Sequence, residues 1–249
     1  MDDAQLLRYS RHILLTELGP DAQDKFGEAH ALVVGVGGLG NPAAHFLAAA
    51  GVGKLTLCDG DHVDLTNLQR QILYATPDIG SAKVDAAAAR LAAINPEVRV
   101  EPIAERVGAA ELTTLVASAD VVLDCSDNFV TRHAINRACV AARKPLVSGA
   151  AIRFDGQIAM FDVRAADSPC YHCLFGEGDE LEETRCATMG VFAPLVGIVG
   201  ATQAGEALKL IAGVGKTLAG RLLILDALTM QWRDVRVPRD PACPVCGTR

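Results

Sequence analysis

Residues 31–59 read ALVVGVGGLGNPAAHFLAAAGVGKLTLCD, a short apolar run, a glycine-rich turn, an alanine-rich segment and a second apolar run that ends in an acid. Residues 31–34 and 54–58 predict two buried parallel strands, and residues 41–50 predict a helix between them. Strand, glycine turn and helix follow in the order that a nucleotide-binding unit requires. This stretch therefore predicts an α/β fold with a nucleotide site at the turn.

The turn contains four glycines, which let the backbone come close to a phosphate. The free N–H groups and the positive dipole end of the following helix would favour its negative charge. Asp59 ends the second strand, where an acid can accept hydrogen bonds from ribose hydroxyls. By itself the motif leaves a purely structural turn open as an alternative. The four glycines are Gly35, Gly37, Gly38 and Gly40.

Polar residues farther along the chain favour a triphosphate over a dinucleotide. Arg70 and Lys83 lie outside any obvious hydrophobic face, and a nicotinamide enzyme would not need their charge. The alternative is that both are solvated surface cations. Asp127 follows a predicted strand at residues 121–124. It could cap the next helix, or it could hold Mg²⁺ between phosphate oxygens.

Strands and helices alternate through the rest of the first 150 residues. Helices are predicted at residues 81–94, 109–117 and 128–142, and strands at 97–102, 121–124 and 145–148. An alternating segment at residues 152–163 follows, then a helix at 195–212 and strands at 222–225 and 231–237, which should be antiparallel. We expect a Rossmann-like, doubly wound, mostly parallel sheet with added antiparallel strands in the C-terminal half. A single domain over residues 1–249 is expected, with residues 1–150 as its nucleotide-binding half.

Composition limits the function. The chain has 249 residues, 50% of them hydrophobic and only 4% aromatic, so its core is built from small aliphatic side chains, as in α/β proteins. A net charge of −7 argues against a nucleic-acid surface. The start, Met1-Asp2-Asp3, lacks the cations of a signal peptide, and Pro194 interrupts the most apolar stretch. We therefore expect a cytoplasmic protein with no membrane or nucleic-acid partner.

Two cysteine pairs have zinc-knuckle spacing, and four thiolates around one zinc would close a loop of about 70 residues. A redox dithiol is the alternative, but such pairs usually lie at a helix start in a thioredoxin-like fold. His172, inside the first pair, is expected to be a bystander. Cys58, Cys125 and Cys139 fall on predicted strands or helices and are expected in the core. The two pairs are Cys170 with Cys173 and Cys243 with Cys246.

Several motifs together resemble the MoeB/ThiF family of ubiquitin-activating-like adenylyltransferases, over residues 6–247. They are RYSR at residues 8–11, the glycine turn, NLQRQ at 67–71, Lys83, DCSDN at 124–128, SGA at 148–150 and the cysteine pairs. The resemblance implies a structural zinc on the four cysteines, and it makes residues 151–249 the carrier-binding and zinc half. It implies that ATP and Mg²⁺ are held by the glycine turn, Asp59, Asn67, Gln69, Arg70, Lys83, Asp127 and Asn128.

The activity that the resemblance implies is ATP-dependent adenylation of the C-terminal glycine carboxylate of a small ubiquitin-like sulfur-carrier protein ending in Gly-Gly. A carboxylate with a pKa near 3.5 is already ionised at neutral pH, so no general base is needed. Charge neutralisation would come from Arg70, Lys83, the Mg²⁺ at Asp127, and Arg11 of the second subunit of a homodimer.

Some alternatives stay open at this point. Cys186 lies in a polar stretch beside Arg185, which could favour its thiolate, so it is either a sulfur-transfer residue or an incidental thiol. The carrier could belong to molybdopterin or thiamine biosynthesis, and a separate protein could donate the sulfur. An NAD-dependent oxidoreductase and a non-catalytic scaffold of the same fold are the competing functions.

Overall fold

A computed structural model describes residues 1–177 and 189–247. Their strands are β1 (His30–Val34), β2 (Lys54–Cys58), β3 (Arg99–Ile103), β4 (Val121–Asp124), β5 (Leu146–Ile152), β6 (Asp155–Phe161), β7 (Arg221–Asp226) and β8 (Gln231–Arg236). They form an eight-stranded sheet in the order β3-β2-β1-β4-β5-β6-β7-β8. Strands β1 to β5 are parallel, and β6, β7 and β8 are added antiparallel.

Helices cover both faces of this sheet. They are α1 (Asp3–Arg8), α2 (Ser10–Ile13), α3 (Gly19–Glu28), α4 (Gly40–Ala49), α5 (Lys83–Ile94), α6 (Ala109–Ser118), α7 (Phe129–Ala142), α8 (Tyr171–Leu174) and α9 (Ala193–Ala212). Buried side chains of α4, α5 and α9 form one core. Side chains of α6, α7 and α8 form a second core, with Leu32 and Val122 from the sheet. The predicted doubly wound, mostly parallel sheet is confirmed.

The β5–β6 region differs from its prediction. Instead of a strand at residues 145–148 and an alternating segment at 152–163, β5 continues to Ile152 and reverses at Arg153, whose φ of 52° is left-handed. The glycine at the centre of β5 is required by packing. A Cβ on Gly149 would lie 2.5 Å from the Gln203 side chain of α9.

Helix α9 packs against α4 and β5. It comes very close to the turn before α4 at Gly200, where a Cβ would lie 2.2 Å from the carbonyl oxygen of Leu39, whereas a Cβ on Gly197 or Gly205 would meet nothing within 4 Å. Among the described residues it is the one helix with the length and apolar composition to cross a membrane, and 50% of that apolar window is buried inside the protein.

Candidate functional site

Three loops leave the sheet at one level, at the carboxyl ends of β1, β2 and β4. Gly35 N–H donates to the carbonyl of Cys58 at 2.8 Å, and Cys125 N–H donates to the carbonyl of Val34 at 2.9 Å. Gly35, Asp59 and Cys125 therefore begin their loops side by side. In open α/β sheets this edge is where ligands bind.

The four glycines of the turn serve different purposes. Gly35 has a φ of 89°, and a Cβ there would lie 2.7 Å from the carbonyl oxygen of Cys125; a Cβ on Gly40 would lie 1.9 Å from the carbonyl oxygen of Gly35. These two glycines are needed for packing. A Cβ on Gly38 would lie 3.3 Å from Val196 of α9, whereas one on Gly37 would meet only the Gln71 side chain, at 3.7 Å. Among the described residues Gly37 is thus the position of the turn most open to a phosphate.

The start of α4 is also suited to an anion. Its N-cap residue is Leu39, which makes no side-chain hydrogen bond to the first turn. In this first turn the Asn41 N–H already donates to the Gly37 carbonyl at 3.0 Å and Pro42 has no N–H, so Gly40 provides the N–H that could serve a ligand. An uncapped helix start beside an open glycine is a favourable place for a phosphate.

Side chains from two other segments hold the turn in place. The Asp59 carboxylate accepts from Val36 N–H at 2.7 Å, and Asn41 Nδ2 and the Tyr74 hydroxyl both donate to the Val36 carbonyl, at 2.7 Å each. Asn41 also accepts from Leu73 N–H at 2.7 Å. Burial raises the pKa of Tyr74, so its hydroxyl stays a donor. Neither Asn41 nor Tyr74 was predicted from the sequence, although a polar residue in the first turn of an alanine-rich helix, such as Asn41, is a usable signal.

Lys83 is buried beside the turn, contrary to the alternative of a solvated surface cation. Its Nζ lies 3.0 Å from Asp61 Oδ2, and its side chain is 8% exposed. Its backbone N–H also donates to the Asp61 carbonyl at 3.0 Å. The hydrogen bond from Lys83 lowers the pKa of Asp61, against its partial burial. Asp61 N–H donates to Asp59 Oδ1 at 2.9 Å, so Lys83 is linked to the acid at the end of β2.

The NLQRQ segment continues a short 3-10 turn at Leu65–Asn67. Asn67 accepts from Asp64 N–H at 3.1 Å, and Arg70 Nη1 donates to the Thr66 carbonyl at 3.1 Å. Arg70 is half-buried and Gln69 is exposed. Gln71 is buried, and its Oε1 has no hydrogen-bond partner among the described residues. An unsatisfied buried acceptor under the open glycine fits a site whose ligand carries donors or bound water.

The two aspartates of the DCSDN run have different surroundings. Asp124 is fully buried and accepts from the hydroxyls of Ser126 at 2.6 Å and Ser148 at 2.9 Å. Helix α7 starts at Phe129, one residue later than predicted, because Asn128 is its N-cap and accepts from Thr131 N–H at 2.8 Å. Asp127 is therefore not the cap. It is exposed and, within the described part of the chain, accepts only a long bond of 3.5 Å from the Asn128 amide, which leaves its carboxylate available for a cation.

The RYSR motif is fixed at its first two residues. Arg8 Nη1 donates to the Ile94 carbonyl at 3.0 Å. The buried Tyr9 hydroxyl accepts from Asn95 Nδ2 at 2.8 Å and donates to Glu97 at 3.2 Å. Arg11, on α2, is exposed and makes no hydrogen bond or ion pair with the described residues. The structure does not bring Arg11 into contact with the glycine turn of its own chain.

The four knuckle cysteines converge on one point, with all four Sγ atoms within 4.8 Å of one another. The distances are 3.9 Å for Cys170 to Cys173, 3.8 Å for Cys170 to Cys243 and 3.5 Å for Cys173 to Cys246. Tetrahedral zinc with Zn–S bonds of about 2.3 Å places its sulfurs about 3.8 Å apart. The cluster therefore fits one structural zinc better than two redox pairs.

The structure also shows where His172 and three of the remaining cysteines lie. His172 makes an edge-to-face contact with His133, with ring centroids 5.6 Å apart, and is not part of the cluster. Cys58, Cys125 and Cys139 are buried, and burial raises the pKa of each thiol, that of Cys58 to about 12. Cys186 lies outside the described residues.

Known proteins share this architecture. Residues 9–245 match the ThiF family. The chain is 45% identical over 250 residues to the molybdopterin-synthase adenylyltransferase of Escherichia coli, covering 99% of this chain and 98% of that protein. It is 44% identical over 247 residues to the sulfur carrier protein ThiS adenylyltransferase of Escherichia coli, with 99% and 97% covered. The crystal structure of Escherichia coli MccB with ATP superposes with a TM-score of 0.86 at 27% identity, covering 96% of this chain and 73% of that one.

Proposed function

Because this chain belongs to the ThiF family, we propose that it is an adenylyltransferase that uses ATP to activate the C-terminal glycine carboxylate of a small ubiquitin-like sulfur-carrier protein. Relatives aligned over nearly their full length bear the names of adenylyltransferases of molybdopterin synthase and of a sulfur carrier. The solved relative with ATP supports the nucleotide. The product serves sulfur transfer in molybdopterin or thiamine biosynthesis.

The reaction is nucleophilic substitution at phosphorus. A carboxylate oxygen of the carrier attacks the α-phosphorus of ATP, the bond from that phosphorus to the bridging oxygen breaks, and pyrophosphate leaves with its electron pair. The carboxylate is ionised at neutral pH, so no proton has to be removed. The protein's task is to position two anions and to neutralise their repulsion.

The proposal depends most on the buried position of Lys83 beside Asp61. A buried ammonium linked through Asp61 to the ribose-binding acid is what a triphosphate at this edge requires. Gly37 and the uncapped start of α4 would receive phosphate oxygens. Asp59 keeps lone pairs for ribose hydroxyls, because each of its oxygens accepts one backbone hydrogen bond from the described residues. An NAD-dependent oxidoreductase or a non-catalytic scaffold would leave Lys83 and Asp127 without a purpose.

Cofactors and partners complete the proposal. Mg²⁺ held by Asp127 would neutralise phosphate charge, and zinc on the four knuckle cysteines would join the C-terminal end of the chain to α8. Gly38, Asn67, Gln69, Arg70 and Asn128 complete the nucleotide pocket. The enzyme would be a cytoplasmic homodimer in which Arg11 reaches the second nucleotide. Residues 151–249 would bind the carrier, and Cys186 would serve sulfur transfer from a donor protein.

The test is ATP–pyrophosphate exchange with each candidate carrier separately. Exchange is expected only with a carrier that keeps its terminal glycine, so a carrier shortened by that residue is the control. Cys186→Ser should keep exchange and reduce the yield of carrier thiocarboxylate. Exchange that does not depend on the carrier tail would contradict the assigned substrate.

A further inference from the structure

One carboxylate in the candidate site forms ion pairs with two cationic side chains. Asp61 Oδ2 lies 3.0 Å from Lys83 Nζ, and Asp61 Oδ1 lies 3.1 Å from Arg106 Nη2. The Arg106 side chain is 86% exposed, whereas that of Lys83 is nearly buried. The Lys83 side chain is therefore shielded from solvent, whereas Arg106 is free to follow the carboxylate if the carboxylate moves.

Packing places Arg106 at this carboxylate. A Cβ on Gly60 would lie 2.7 Å from Arg106 Cγ and 2.9 Å from the Arg106 backbone nitrogen. The stem of Arg106 thus lies directly on the turn between Asp59 and Asp61. Any side chain at position 60 would displace it. The ion pair between Arg106 and Asp61 therefore depends on the close contact of Arg106 with Gly60.

A bound triphosphate would change the balance of charge at Asp61. In the proposed function the phosphates take hydrogen bonds from Lys83, which already donates to Asp61 Oδ2. The carboxylate and the phosphates then compete for one ammonium. A carboxylate left without a counter-charge beside a polyanion would also repel it. A second cation on Asp61 removes both difficulties.

We propose that Arg106 is a positioning residue that holds the Asp61 carboxylate when Lys83 turns to the phosphates of ATP. The inference rests on the proposed function, because it requires Lys83 to contact phosphate. Arg106 acts through Asp61 and needs no contact of its own with the nucleotide. It would lower the KM for ATP and leave the chemical step unchanged.

The experiment is the KM for ATP in carrier-dependent pyrophosphate exchange at low salt. Arg106→Ala is expected to raise this KM about two- to fivefold, the range for one exposed charge pair, with kcat unchanged, and added salt should shrink the difference. Arg106→Lys should keep most of the effect, and Arg106→Glu should raise KM further. Arg99→Ala is the matched control, because Arg99 forms an ion pair with Glu101 on the same strand, β3, and not with Asp61.

An Asp61→Asn background separates the possible outcomes. If Arg106 acts through Asp61, Arg106→Ala has no further effect in that background. An equal rise in KM there would overturn the inference and show that Arg106 touches ATP directly, and wild-type KM values for both Arg106→Ala and Arg106→Glu would also overturn it. Lys83→Ala tests the premise. If Lys83→Ala binds ATP normally, the proposed phosphate contact itself is wrong; if it does not, failure of the Arg106 variants counts against this inference alone.

Discussion

Asp59 Oδ2 accepts a hydrogen bond of 2.7 Å from the backbone N–H of Val36, so the acid at the end of β2 holds the glycine turn that follows β1. Its Oδ1 accepts from Asp61 N–H at 2.9 Å. The acid therefore has a structural role besides the ribose contact proposed for it. Both roles need acceptor oxygens, which a carboxylate has on both sides and an amide on only one.

The first prediction concerns this double role. Asp59→Asn would turn an amide donor toward either Val36 N–H or Asp61 N–H, and leave that donor without its acceptor. We expect the free energy of unfolding to fall by about 1–3 kcal/mol if the amide faces the buried Val36 N–H, and by less if it faces the exposed Asp61 N–H. The KM for ATP should rise at least about tenfold. Asp226→Asn, in the remote β7–β8 turn, should leave KM unchanged. If Asp59→Asn keeps the wild-type KM for ATP, Asp59 does not contact the nucleotide.

The second prediction concerns the two cations. Lys83→Ala and Arg70→Ala are each expected to lower adenylation about a hundredfold or more, since each removes one preorganised charge contact. Arg70→Lys should not fully rescue the loss, because lysine lacks the planar fork of arginine. Pyrophosphate exchange at saturating ATP is the measurement, and Lys216→Ala, an exposed lysine, is the control. Near wild-type exchange by either variant would sink the assignment of that residue.

Local patterns predicted the elements that place the site. The apolar run and glycines of residues 31–40 are strong local signals, and β1, the turn and α4 lie within a residue of their predicted places. The end of β5 was misplaced because Gly149, Ala150 and Ala151 break the expected alternation of large and polar residues. Gly149 makes room for the side chain of Gln203 of α9, which is far away in the sequence.

Contacts between distant segments were beyond such patterns. Tyr74 meets Val36 across 38 residues, and Arg106 meets Asp61 across 45. Neither residue stands out in its own segment, since a tyrosine in a polar loop and an exposed arginine are both ordinary. The different roles of Gly37 and Gly40 also could not be predicted from the sequence, because each role depends on which atoms lie next to that glycine in the fold.

The third prediction concerns the cysteine cluster. Protein purified without chelator should contain about one zinc per chain, and Cys246→Ala should lose it and unfold at a lower temperature, because a structural site contributes folding free energy. Cys139→Ala is the matched control: Cys139 is buried but outside the cluster, so that variant should keep its zinc. Protein with no zinc, or with a dithiol that titrates as a redox couple, would overturn the structural site.

The fourth prediction is a pH dependence of stability. His30 is buried at the start of β1, with Nδ1 2.9 Å from the Ser118 carbonyl and Nε2 2.8 Å from the Thr56 hydroxyl. Burial lowers the pKa of His30, although the Ser118 carbonyl and the nearby Asp120 and Glu101 raise it and Lys54 lowers it. The unfolded chain, with a pKa of about 6.5, then takes up the proton first as the pH falls.

The stabilising contribution of neutral His30 is therefore complete above about pH 6.5 and is lost as the pH falls through that value toward the lower folded pKa. We expect His30→Gln to lose less free energy of unfolding than wild type between about pH 7.5 and about pH 5.5. Denaturant unfolding at each pH measures it, and His62→Gln, at an exposed position, should keep the wild-type slope. Equal slopes for His30→Gln and wild type would contradict the prediction.

The fifth prediction concerns the exposed Arg11. Arg8 and Tyr9 anchor the motif to its own chain, and Arg11 is left without a partner among the described residues. If Arg11 completes the site of the second subunit, Arg11→Ala and Lys83→Ala should each be inactive alone but complement each other when mixed. A mixed dimer has one intact site, made from Lys83 of one chain and Arg11 of the other. Random exchange of subunits should then restore about a quarter of wild-type exchange activity.

A mixture of Arg70→Ala and Lys83→Ala is the matched control for this complementation. In the proposed function both of those residues belong to the nucleotide pocket of their own chain, so every site in the mixed dimer would keep one defect and no activity should return. Mass spectrometry of the mixture would verify that mixed dimers form. If they form and Arg11→Ala with Lys83→Ala stays inactive, Arg11 does not act across the dimer. Recovery in the first mixture but not in the second would place Arg11 at the partner's nucleotide. Only in the first mixture can an intact Arg11 of one chain meet an intact Lys83 of the other.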